Sequence, residues 1–134
     1  MSYVQLEDIG ITGIAVAVPE RKIINKEMSD QFGEKHINKF IKTTGVLERR
    51  VASEHQTASD LGMVAAEEIL KQKQIEKDTI GALVFASHGP DYKRPATAHV
   101  LQKRLGLSEQ CACFDISLGC SAFVYGVQIL GGLM

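Results

Sequence analysis

The nineteen residues from Ile116 to Met134 carry no charged side chain. A run of this length either spans a bilayer or is packed inside a protein. Ser117, Gly119, Ser121, Gly126, Gln128, Gly131 and Gly132 interrupt its apolar surface, and Asp115 borders it. That much glycine and polar content favours a helix buried within a folded core over one in lipid, so no membrane association is expected. The run also reaches the end of the sequence on Gly131-Gly132-Leu133-Met134 without a polar closing segment. The expectation is therefore a fragment, or a chain whose fold continues elsewhere.

The rest of the sequence bounds the setting of that helix. With 134 residues there is enough chain for one domain with a hydrophobic core. A net charge of -1 gives no electrostatic footprint for nucleic acid. The basic pairs Arg49-Arg50, Lys93-Arg94 and Lys103-Arg104 are read as solvated surface, with a docking patch for an acidic partner as the alternative. Three cysteines, and an opening Met1-Ser2-Tyr3 that leads into Glu7 and Asp8, point to a reduced, cytoplasmic setting.

Periodicity gives the order of elements. Ile9 to Val18 alternates apolar residues with Gly and Ala, which predicts a strand stopped by Pro19. Asn25 reads as the N-cap of a short helix to Phe32. His36 to Thr43 reads as a second helix, closed by Gly45, and Val46 to Ala52 as a short strand. Thr57 and Asp60 form a capping-box pattern ahead of a helix to about Gln74, on which Glu67 and Lys71 are an i,i+4 pair. Ile80 to Ala86 is a continuous apolar run suited to a parallel strand buried on both faces. Pro95 is placed in the first turn of a helix that Gly106 ends. Ala112 to Ser117 predicts a last strand, and the last helix is expected to begin near Cys120. Such alternation predicts an α/β layered fold with a mostly parallel mixed sheet flanked by helices.

Chemistry concentrates in Phe114 to Phe123, where Gly119-Cys120 follows a strand and opens a helix. Backbone N–H groups in a first helical turn lack intrahelical partners, and their dipoles favour an anion there. A cysteine so placed is favoured as thiolate, and the same amides can hold an oxyanion on an attacked thioester carbonyl. Gly119 and Ser121 would support that turn. The competing reading is a packed core cysteine, since free Cys is among the most buried residue types.

The segment Asp115-Ile116-Ser117-Leu118-Gly119-Cys120-Ser121-Ala122-Phe123 resembles the nucleophile segment of the 3-oxoacyl-(acyl-carrier-protein) synthase III family. Gly10-Ile11-Thr12-Gly13 with Pro19, Thr44-Gly45-Val46-Leu47-Glu48-Arg49-Arg50, Ile75 to Ile80 and Pro95-Ala96-Thr97-Ala98 match that family in the same order. The resemblance implies the N-terminal half of a thiolase-like fold over residues 1–134, with the second half, and its histidine and asparagine, absent from this chain. It implies that Cys120 takes an acyl group from a thioester, followed by decarboxylative condensation with malonyl-carrier protein in fatty acid or related biosynthesis. It also implies acyl-carrier protein as partner, acyl-coenzyme A as a further donor, a homodimer and no resident cofactor. Condensation by this chain alone is not expected.

Three positions depart from the family pattern. Lys39 stands where a tryptophan commonly stacks the coenzyme A adenine, and Thr43, beside Thr44, replaces an arginine that helps hold coenzyme A. These changes favour a carrier-protein-bound donor. Arg94 replaces a phenylalanine that commonly reaches the partner subunit's acyl pocket, which implies a polar acyl group or a side chain turned to solvent. A degenerate subunit acting only as an association partner is the alternative function, and a nucleotide-binding domain is a weaker one. Cys111-Ala112-Cys113 lacks the second ligand pair that structural zinc needs, so no metal is expected. Gly10-x-x-Gly13 is not a dinucleotide fingerprint. Ser87-His88-Gly89 is read as a loop at a strand's carboxyl end, the place where α/β folds put ligands, or as a simply exposed loop.

Overall fold

The structure is a computed structural model that describes residues 5–134. It divides into two compact units, Val18–Gln56 and a larger one built from the residues before Val18 together with Thr57–Met134.

The smaller unit opens with β1 (Lys22–Ile24), followed by a 3-10 turn (Asn25–Met28), α1 (Ser29–Phe32), α2 (Glu34–Thr44) and β2 (Glu48–Arg50). β1 and β2 pair antiparallel, with Lys22 opposite Arg50 and Ile24 opposite Glu48. Strand β1 went unforeseen: three residues are too few to show a period. Asn25 is not a helix cap, because the helix it was expected to open starts as the 3-10 turn with Ile24 at the N-cap. Its buried amide instead joins elements, donating to the Val46 carbonyl at 2.9 Å and accepting from Arg49 Nε at 2.9 Å. A buried polar group must find partners, and these two hold the strand pair against the turn. Helix α2 spans two residues more at its start and one more at its end than the sequence suggested. It buries Ile37 and ends as expected on Gly45, whose φ of 73° is left-handed.

In the larger unit, α3 (Ala58–Lys73), β3 (Ala82–Ala86), α4 (Thr97–Leu105), β4 (Ala112–Ile116) and α5 (Ala122–Leu133) follow in order. The capping box forms, with the Thr57 N–H donating to Asp60 Oδ2 at 2.9 Å. Strands β3 and β4 are parallel, from Ala82 opposite Ala112 to Ala86 opposite Ile116. Parallel neighbours need a crossover, and α4 supplies it. Its Ala98, Leu101 and Leu105 are the most buried apolar residues of the core, joined by Cys111, Ile116 and Ala122. Pro95 precedes the N-cap residue Ala96 and so lies outside the helix. Among the described residues Glu67 and Lys71 make no ion pair, whereas Gln72 bonds Glu68 at 2.6 Å.

Three expectations fail for one reason. Ile9 to Val18 forms no strand, although the period-two pattern is visible up to Ala17: Gly13, Ala15 and Ala17 are half-buried while Ile14 and Val16 are 78% and 79% exposed. β3 is only half-buried, and α5, expected inside a core, buries just Ala122 and Gly126. All three need neighbours on a second side, and none exists among the described residues. One side of α5 is packed: a Cβ on Gly131 would lie 2.6 Å from Leu6 Cδ1, so a larger residue there would require the Leu6 side chain to move. Among the described residues no helix is long and apolar enough to cross a membrane.

Candidate active site

The carboxyl ends of β3 and β4 lie side by side, and the Ser87 N–H donates to the Ile116 carbonyl at 3.1 Å, one step beyond the ladder. The chain leaving β4 tightens at once, with the Leu118 N–H on the Ile116 carbonyl at 3.1 Å. A turn then closes from the Ala122 N–H to the Gly119 carbonyl at 3.0 Å, with Cys120 and Ser121 at its centre. Ser121 is the N-cap residue of α5; its side chain makes no capping hydrogen bond, and its carbonyl accepts from the Tyr125 N–H at 3.1 Å.

Cys120 therefore stands two residues ahead of α5 rather than in its first turn, and it is exposed. The core-cysteine reading is excluded for it. Gly119 does not have a left-handed φ; such glycines are Gly33, Gly45 and Gly106. Apart from its two chain neighbours, the atom nearest to where a Gly119 Cβ would stand is His88 Nδ1, 3.9 Å away. The turn thus presents an open thiol, and the His88 imidazole approaches the turn at Gly119.

Asp115 is the residue that sequence reasoning missed. On β4, its carboxylate accepts the Thr97 N–H through Oδ2 and the Ala98 N–H through Oδ1, each at 2.8 Å. Those are orphan donors of the first turn of α4, and a carboxylate satisfies both their hydrogen bonds and the dipole. The contact ties the strand that leads to Cys120 to the helix behind it. Next to it, Thr97 Oγ1 is buried without a partner among the described residues. Arg94, just ahead of this helix, is exposed.

Lys39, Thr43 and Thr44 belong to the smaller unit, on the last two turns of α2, and are exposed. Thr44 is engaged locally, its hydroxyl donating to the Phe40 carbonyl at 2.8 Å and accepting the Val46 N–H at 3.2 Å. The other two thiols form a separate group. Cys111 and Cys113 Sγ atoms lie 3.8 Å apart, and burial, with the Cys111 hydrogen bond, pushes the Cys113 thiol up to about 11. Among the described residues no group of three or more His, Cys, Asp or Glu is arranged to hold a metal.

This fold is shared with known proteins. The crystal structure of a 3-oxoacyl-(acyl-carrier protein) synthase from Burkholderia xenovorans LB400 superposes on 90% of this chain and 35% of its own, with a TM-score of 0.84 at 35% identity. Cerulenin-bound OleA of Xanthomonas campestris matches 96% of this chain and 39% of its own, with a TM-score of 0.85 at 28% identity. The fold is thus of the thiolase-like class. In sequence, the beta-ketoacyl-[acyl-carrier-protein] synthase III of Symbiobacterium thermophilum is 36% identical over 124 residues, 92% of this chain and 37% of that protein. Over the matched residues the chain belongs to the beta-ketoacyl-[acyl-carrier-protein] synthase III family. It spans little more than a third of the length of the curated relatives it matches. No protein-family model matches the chain.

Proposed function

We propose that this chain is the acyl-accepting part of a synthase III-type condensing enzyme, with Cys120 as the nucleophile. The observation that carries the reading is the exposed thiol on the turn between β4 and α5, in a chain with this family membership. In the loading step the Cys120 sulfur bonds the carbonyl carbon of an acyl thioester. The carbon–sulfur bond of the donor breaks, and the donor leaves as a thiol with the proton that Cys120 gave up.

The decarboxylative condensation that follows would draw on a histidine and an asparagine from the second half of the fold, outside this chain. Residues 1–134 are accordingly read as the first thiolase-like half, in a homodimer that uses acyl-carrier protein. Lys39 and Thr43 on α2 favour a carrier-protein donor over coenzyme A, while the exposure of Arg94 favours the reading in which its side chain is turned to solvent. A second reading, an association partner without chemistry, draws on the apolar surface that α5 exposes, Phe123 and Val124 above all.

Intact mass after incubation with acyl-carrier protein or acyl-coenzyme A separates the two. The acyltransferase reading expects an adduct that Cys120→Ala abolishes. No adduct with either donor, on this chain or on one extended to the relatives' length, leaves the association role.

A further inference from the structure

We propose that Cys111 and Cys113 form a two-sulfur site for copper(I), at the opposite end of β4 from Cys120 and independent of the acyl chemistry. Residues i and i+2 of a strand point to one face, and the residue between the two cysteines, Ala112, is the first of β4. The sulfurs accordingly stand together, 3.8 Å apart. The Cys113 thiol donates to the Cys111 carbonyl at 3.4 Å and to the Cys111 sulfur, and no other side chain bonds either sulfur among the described residues. Cys111 is 5% exposed, whereas Cys113 is only half-buried and leaves the pair open on one side. The chain that enters the pair is fastened from behind: Gln102 Nε2 on α4 donates to the Ser108 carbonyl at 2.8 Å and to the Cys111 carbonyl at 3.3 Å. Both ligands are thus held on tied backbone before any ion arrives.

The spacing decides between the two things a pair of thiols can do. A disulfide requires the sulfurs to close to about 2.05 Å, with Cα atoms no more than about 6.8 Å apart. Two residues of extended strand span about 6.6 Å, near the upper limit of that range, so closure would pull on the start of β4. An ion asks for less. With metal–sulfur bonds near the ~2.3 Å of zinc–thiolate sites, one cation reaches both sulfurs with little movement of either. The lack of a second ligand pair tells against zinc, which needs four ligands, and not against an ion that takes two. Copper(I) is soft, prefers thiolate and is satisfied by two sulfurs. The Cys113 proton, held by burial up to about 11, competes for its sulfur, which selects for the ion with the strongest affinity for thiolate. On binding, two copper–sulfur bonds form, both thiol protons pass to solvent, and no electron is transferred.

The test uses the full chain carrying Cys120→Ala, so that the open thiol takes no copper, and adds Cys113→Ser or Cys111→Ser to it. Copper(I) is titrated in without oxygen against a bicinchoninate chelator, and retention is read by native mass spectrometry and by the absorbance of the chelator. The parent is expected to keep a single copper ion. Cys113→Ser should weaken retention by more than the about 10–100-fold that loss of a supporting residue costs a metal site. Circular dichroism shows which variants fold; Cys113 is half-buried, so Cys113→Ser decides even if the buried Cys111→Ser does not fold. No copper kept by the parent would overturn the proposal, and so would equal retention by Cys113→Ser. It is overturned as well if zinc(II) at equal concentration displaces the copper, or if the pair loses its hydrogens to a disulfide in place of binding.

Discussion

At the level of single residues, the molecule separates groups that hold the core from groups that tune it. Leu105 is 2% exposed, and truncating a buried leucine removes its transfer energy and leaves a cavity. Leu105→Ala is expected to cost about 2–5 kcal/mol, measured by urea unfolding followed by circular dichroism. Asp60 works through charge. The Thr57 backbone N–H and then the Arg104 guanidinium hold its carboxyl below the ordinary value of 3.8. A carboxylate lowered on folding stabilises the native state above its unfolded value, and that contribution disappears as acid protonates it. Asp60→Asn should therefore be less stable than the wild type at neutral pH, and the gap between their melting temperatures should close as the pH falls below about 3.8.

At the level of elements, Asp115 is the most consequential side chain outside the site, because it fastens β4 to α4 by two amide hydrogen bonds. Asp115→Ala leaves both donors without an acceptor, at about 1–3 kcal/mol for each group left unsatisfied. Hydrogen exchange should then quicken at the first turn of α4 and leave α3 unaffected; uniform quickening would mean that the carboxylate serves the whole fold. Elements with a punctuated pattern were legible in the sequence: α3 through Thr57 and Asp60, α2 through Gly45, α4 through Gly106, and the apolar runs of β3 and β4. Asp115 was not, because its partners lie 17 and 18 residues away in the chain, and no local spacing records such a contact. Cys120 was legible from its neighbours, but its offset from α5 depends on a turn closed by Gly119 and Ala122. His88 was legible as part of a loop at a strand's carboxyl end, but its approach to Gly119 follows from strand register and not from local spacing.

Over the whole molecule, the apolar surfaces of Ile9 to Ala17 and of α5 dominate behaviour. Contiguous exposed apolar surface drives association. The isolated chain is expected to self-associate with rising concentration in light scattering, and Phe123→Asp combined with Val16→Asp to shift it toward monomer. A chain that stays monomeric throughout would show that these faces do not associate.

The depths of the three sulfurs bear on how the molecule can be studied. Cys111 is 5% exposed, Cys113 is held protonated beside it, and Cys120 lies open. Under native conditions a mild thiol reagent should count one cysteine, and after unfolding it should count three. The folded protein is in effect already a single-cysteine protein, so a fluorophore or cross-linker can be attached at Cys120 with the other two sulfurs left in place.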